Sequence, residues 1–308
     1  MKIYTLTLNP AYDVHAYAES FAPYHENLAQ IQSREAGGKG VNISRALCSA
    51  GVPNRAVIVL GKENSGDFEQ DLQKSNMDSI LIKKDGRIRE NLTLHCANAP
   101  ETRISFRGFA VDDTILEEVL ELLEVDGDTV ITFTGRVGTG MSMEKVKAFL
   151  EILRKRGVRI VLDSKSFSLE DIYQVQPWLI KPNQEEISEY FGCDVQTVEQ
   201  AAQKAQDFAK RGVANVMVSL GEQGALLIRE GKIYTATPPA IQAVSTIGAG
   251  DSSIAGFLAA AHRGGDAAEC LKMAVAFGTA ACLTAGTLPP RKEDALRIYN
   301  QVHIAEEV

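Results

Sequence analysis

The chain has 308 residues, of which 45% are hydrophobic and 23% charged, with a formal net charge of −8. That size and apolar content support a substantial core in one large α/β domain or two smaller ones, while the negative balance argues against a nucleic-acid or membrane-surface role. No apolar run approaches the roughly 20 residues of a membrane span, the five cysteines form no CxxC pair and read as reduced thiols, and MKIYTLTLNPAYD lacks a signal-peptide core, so a cytoplasmic protein is expected.

The first apolar run ends in TLNPAYD, Thr7 to Asp13. Asp13 then sits at the carboxyl end of a strand, where open α/β sheets bind ligands. A carboxylate there can accept hydrogen bonds from two sugar hydroxyls, or merely close a turn after Asn9-Pro10. Residues 12–35 alternate in polarity without a helical pattern. EAGGKGVNISRAL, Glu35 to Leu47, opens an amphipathic helix carrying Ile43, Ala46, Leu47 and Ala50 on one face. Gly37 and Gly38 let the backbone approach a ligand, Lys39 is placed to meet an anion and Asn42 to hold hydroxyls; the bland reading is a flexible turn with a solvated lysine.

RAVIVLG (55–61) is a buried strand, and a second helix-free stretch, 86–107, holds two strands with a turn expected at Ala99-Pro100-Glu101. We read the two helix-free stretches as a small sheet, a lid over one end of the main body. A helix with Leu116, Val119, Leu120 and Leu123 on one face follows, then the buried strands TVITF (129–133) and RIVLD (159–163). In IKPNQEEI, Asn183 and Glu186 stand three apart at a helix start and share a face. They suit a hydrated magnesium ion bridging nucleotide phosphates, or an ordinary helix cap.

After the strand NVMVSL (215–220) comes STIGAGDSSIAGF, Ser245 to Phe257, entering a helix with Ile254, Phe257, Leu258 and Ala261 on one face. Gly248 and Gly250 permit a tight turn whose N–H groups, with the helix N-terminus, make a pocket for a phosphate. Asp251 in an anion-binding turn looks contradictory unless it faces a proton donor. The chain contains no GxxxxGK[ST] loop, and Ser253 breaks a dinucleotide fingerprint. Strand and helix alternate from about residue 40 to 260, which gives a doubly wound, mostly parallel α/β sheet flanked by helices. A phosphate turn, oxygen ligands for a metal and hydroxyl-binding groups all following strands of one sheet describe phosphoryl transfer.

Those motifs resemble the PfkB sugar-kinase family of the ribokinase-like fold: STIGAGDSSIAGF its C-terminal signature, GGKGVNISRAL its N-terminal glycine signature, and KPNQEE its N-x-x-E pattern. The resemblance runs from about residue 3 to 300 and implies one ribokinase-like domain over 1–308 with the lid inserted. It implies ATP as co-substrate, Mg2+ held through water by Asn183 and Glu186, Asp251 as base, and the N–H groups of Gly248, Ala249, Gly250 and Asp251 around the migrating phosphoryl group.

TLNPAYD and GGKG resemble the hexose-phosphate branch of 1-phosphofructokinases, tagatose-6-phosphate kinases and the minor 6-phosphofructokinase. RENLTLH implies that Arg89 grips a substrate phosphate, and VSLGEQGAL places Ser219, Gly221 and Gly224 near ATP. The expected acceptor is therefore a ketohexose phosphate, fructose 1-phosphate first. A ribose or nucleoside kinase of the same fold is the alternative, and a catalytically silent sensor would have lost the base or the turn.

From Lys83 to Arg107 six basic residues face three acidic ones, a patch that suits a phosphorylated substrate. Two departures from the branch pattern stand out. GRVGTG (135–140) has Arg136 in place of a small hydroxyl residue, and HENLAQ (25–30) has Leu28 where a basic residue is common. Arg136 either binds a substrate phosphate in a new pose or points outward. Lid sheets with exposed edges pair readily, so a homodimer through the lid is expected.

Overall fold

The apolar run KIYTLT forms strand β1 (Lys2–Thr7), and its alternation divides the body into two layers. Ile3 joins the cluster that holds Ile43 and Phe257, whereas Tyr4 and Leu6 join the one that holds Phe149 and Phe208. The computed structural model describes residues 1–97 and 99–307.

In chain order, β2 (Ala11–Ala18) and β3 (Gln30–Gly37) precede α1 (Lys39–Ser49), and β4 (Arg55–Gly61), α2 (Ser65–Lys74) and β5 (Ser79–Lys84) follow. Next come β6 (Arg89–Cys96), β7 (Ala99–Ser105), α3 (Thr114–Leu122), β8 (Thr129–Thr134), α4 (Met143–Lys155), β9 (Arg159–Asp163), α5 (Leu169–Val175), β10 (Leu179–Ile180), α6 (Gln184–Phe191) and α7 (Val198–Lys210). The chain ends with β11 (Asn215–Ser219), β12 (Ala225–Arg229), β13 (Lys232–Thr237), α8 (Ala249–His262), α9 (Ala267–Ala281), α10 (Lys292–Tyr299) and β14 (His303–Glu307).

The main sheet runs β14-β13-β12-β11-β10-β9-β8-β1-β4-β5. It is parallel from β5 to β11 and antiparallel beyond. β8 is buried at every position, as helices on both faces require. The antiparallel hairpin β12–β13 and β14 carry too little alternation to stand out in the sequence.

The lid is a second sheet of order β3-β2-β6-β7. Its two halves come from chain segments separated by α1, β4, α2 and β5, and they join through parallel pairing of β2 with β6, Asp13 opposite Asn91. Two sequence expectations need correction. The lid strands extend beyond 12–35 to Gly37 at one end, and begin at Ala11. Ala99 and Glu101 lie within β7, so the turn precedes them at Ala97, beside a residue outside those described; Pro100 in a strand is tolerable because β7 is the sheet edge.

Candidate active site

The parallel strands deliver their carboxyl ends to one edge, and the lid covers it. β9 ends in Asp163, β8 leads into Arg136, α1 begins two residues after β3 ends, and α8 enters from the turn at Gly248. Four segments distant in sequence thus converge.

Gly248 caps α8 with φ 78°, a left-handed conformation suited to glycine. Gly250, by contrast, already lies within the helix. Its missing side chain matters for a different reason: a Cβ there would lie 3.0 Å from the Lys181 Nζ. The first helical N–H groups, those of Ala249, Gly250 and Asp251, precede any i−4 acceptor in the helix. Anion turn and lysine therefore approach each other at Gly250.

Asp251 is 7% exposed and its Oδ2 accepts a 2.9 Å hydrogen bond from Asn42 Nδ2. Burial pushes its carboxyl up to about 6, against the pull of Lys39. Desolvation thus outweighs the neighbouring cations. One N–H of the Asn42 amide is engaged with Asp251, which leaves its second N–H and its oxygen for a hydroxyl. Its Oδ1 is buried without a protein partner.

Lys39 was expected to meet an anion, and the anion it meets is part of the protein. Its Nζ lies 2.9 Å from Asp163 Oδ2, and Lys181 Nζ approaches the same oxygen at 4.0 Å. Burial raises the Asp163 pKa, but Lys181 and Lys39 override it and hold the carboxyl below its usual range. For Lys39, burial favours the neutral amine, yet Asp163 and Asp251 raise its pKa overall. Asp163 and Lys181 escaped sequence reading. The signal was there, an Asp closing the strand RIVLD and a Lys before PNQEE, but nothing in one sequence pairs them.

Asp13 is 5% exposed; its Oδ1 accepts from Asn91 Nδ2 at 3.0 Å and stands 3.8 Å from Arg103 Nη2. A Cβ at Gly37 would collide with the other oxygen, so the glycine signature makes room for this carboxylate. Gly38 caps α1. Arg89 donates through Nη1 to the Phe106 carbonyl at 2.9 Å and to Asn91 Oδ1 at 3.2 Å, while its Nε is buried without a protein partner. Burial is the main influence lowering its pKa, with Arg103 and Arg136 adding to it. Arg103 thus stands beside Asp13 itself, and Arg89 beside the Asn91 that is bonded to it. Arg136 is exposed.

Ser219, Gly221 and Gly224 line a cleft of about 1300 Å3 that also takes in Asn183, Ala249 and Gly250. Its far wall carries Pro238, Ile241 and Val275, an apolar slot of the kind that takes a planar base. A bound molecule there would reach the anion turn.

Asn183 and Glu186 form a reciprocal helix cap: the Glu186 N–H donates to Asn183 Oδ1 at 2.7 Å, and the Asn183 N–H donates to Glu186 Oε2 at 3.0 Å. Glu186 Oε1 remains, 3.6 Å from Lys165 Nζ. Glu186 and Asp163 line one small pocket. No cluster of three or more His, Cys, Asp or Glu able to hold a metal occurs among the described residues. This donor set fits a magnesium ion that keeps its water shell, not one stripped for direct ligation.

Among the described residues, no helix is long and apolar enough to cross a membrane. A 1-phosphofructokinase of Haemophilus influenzae is 30% identical over 89% of this chain and 88% of its own, and one of Bacillus subtilis is 30% identical over 90% and 91%. Phosphofructokinase-2 of Escherichia coli, solved in complex with substrates and products, superposes with a TM-score of 0.91 at 27% identity, covering 98% of this chain and 99% of that one. The pfkB family carbohydrate kinase model matches residues 6–294. A ribokinase-like sheet, an anion turn with an internal aspartate and a lid over its edge thus occur in a chain that belongs to the PfkB family of carbohydrate kinases.

Proposed function

We propose that the enzyme transfers the γ-phosphoryl group of ATP to a primary hydroxyl of a ketohexose phosphate, fructose 1-phosphate in the first instance. The observation that carries this reading is the placing of Arg103 beside Asp13 and of Arg89 on Asn91, the residue bonded to Asp13. An unphosphorylated sugar has no charge to offset these guanidinium groups, whereas a phosphate monoester does.

Asp13 accepts hydrogen bonds from the sugar, and Asp251 takes the proton of the attacking hydroxyl. Asn42 fixes the orientation of that base. The N–H groups of the turn at Gly248, Ala249, Gly250 and Asp251 receive the migrating group's charge. Lys39 and Lys181 lend positive potential beneath the turn, and Asp163 holds both in place. Ser219, Gly221 and Gly224 border the nucleotide. Magnesium, when bound with ATP, neutralises phosphate charge, and Glu186 with Asn183 would hold it through water. Lid closure excludes water and limits idle ATP hydrolysis.

The lid also supports a homodimer. Tyr24, Leu28 and Ile31 are exposed on or beside it, at 104%, 88% and 64%, and association would bury them.

A coupled ADP-release assay with Mg-ATP and a panel of free and phosphorylated sugars tests the reading. Turnover with fructose 1-phosphate exceeding that with fructose 6-phosphate and tagatose 6-phosphate is expected. Activity confined to unphosphorylated sugars or nucleosides would overturn it. Asp13→Ala is expected to raise the acceptor KM more than it lowers kcat.

A further inference from the structure

His15 follows Asp13 by two residues on β2, so the two side chains share a face of the lid. The ring is 7% exposed. Its Nδ1 lies 3.0 Å from His95 Nε2, with the rings stacked at 5.4 Å and 17°. His95 Nδ1 in turn stands 3.5 Å from Glu101 Oε2. One proton suffices between the two facing nitrogens; a second makes both of them donors and breaks the bond.

The other edge of His15 meets a different part of the molecule. Its Nε2 is buried without a partner, and a Cβ at Gly286 would lie only 2.7 Å from that nitrogen. Gly286 has φ 59° in the loop after α9. Its neighbour Thr287 packs on Gly248, the cap of α8: a Cβ there would be 3.5 Å from Thr287 Cα. Close neighbours therefore run from Glu101 at the lid through His95, His15, Gly286 and Thr287 to the anion turn.

We propose that the His15–His95 pair is a positioning device that docks the lid on the Gly286–Thr287 loop and couples acceptor binding at Asp13 to the geometry of the anion turn. The two histidines touch no reacting atom. The charged and titratable groups facing His15 are Asp13 on its own strand, His95 on β6, and Glu101 and Arg103 on β7. Burial, His95 and Arg103 disfavour a charged His15 ring, and they prevail over Asp13 and Glu101. Docking thus favours the neutral ring. It is complete above the ordinary imidazole range of about 6.5 and is lost as the pH falls below it.

The acceptor-binding half of this inference rests on Asp13 as a sugar ligand; the docking half does not. Hydrogen exchange of the ligand-free, full-length protein at pH values on either side of the imidazole range, corrected for the intrinsic pH effect, tests the docking. Wild type is expected to lose protection in residues 11–18 and 285–288 together at the acid end. His15→Gln and His95→Gln are expected to exchange roughly tenfold faster at neutral pH, the effect of about one buried hydrogen bond, and to lose the acid response. Gly286→Ala is expected to speed the same two segments. In turnover assays the His15→Gln variant should raise the acceptor KM and lower kcat, with the ATP KM unchanged. Equal exchange in wild type and His15→Gln, or independent responses of the two segments, would overturn the proposal. A failure to use any sugar phosphate would overturn the functional reading instead, and leave exchange to decide the docking.

Discussion

Asp251 shows how one side chain can be set by its surroundings. Its elevated pKa, about 6, places its ionisation close to the working range. The raised value means that the folded protein favours the protonated form, so the ionised base is present only above that value. The acid limb of kcat/KM should have its midpoint near it. Removing the Asn42 hydrogen bond, which stabilises the ionised form, should move that limb to higher pH; an unchanged profile for Asn42→Ala would detach Asn42 from the base. Asp251→Asn should lower kcat by about 10²- to 10⁴-fold while sparing ATP binding, as measured by calorimetry. Asp163 poses the opposite case, a carboxylate kept ionised by Lys39 and Lys181. Asp163→Asn leaves the buried Lys181 and the half-buried Lys39 without their counter-charge and should destabilise the fold by roughly 3 kcal/mol, the usual size for one half of a buried pair removed, read by denaturant titration.

At the level of elements, strands written as continuous apolar runs were the legible part: RAVIVLG is β4 and RIVLD is β9 residue for residue. A run of that kind can lie only between two helical layers. Polar strands were harder, because β5 (SILIKK) is half exposed and β12 to β14 sit at the antiparallel end. The motifs GGKG and STIGAGD were readable as turn plus helix, since glycine and helix start are local properties. The partner of Lys39, 124 residues away, is a tertiary fact and left no local mark. Gly37 illustrates the difference between a readable position and a readable reason. The glycine is evident in the sequence, but its need is steric and lies in Asp13. Gly37→Ala should raise the acceptor KM by an order of magnitude or more, the penalty of displacing an orienting ligand by about 1 Å, with thermal stability as the control.

For the whole molecule, the homodimer proposed through the lid can be tested at the lid margin. Leu28, exposed at the lid margin beside Tyr24, stands where a basic residue is common in the branch, and an apolar side chain gains most from being covered by another copy. Leu28→Lys is expected to shift the dimer towards monomer in sedimentation velocity and to leave the fold of each chain intact by circular dichroism. A wild-type monomer at all concentrations would remove the dimer.

The parallel pairing of β2 with β6 also governs when the acceptor side can exist. The Asp13–Asn91 bond joins residues 78 apart in the chain, so closing it requires the loop containing α1, β4, α2 and β5 to be organised first. The main sheet can consolidate around β1, β8 and β9 without it. Refolding should therefore recover nucleotide binding before acceptor binding. Under mild denaturant the lid should open ahead of the body, leaving a protein that still holds ATP but has lost the means to spend it.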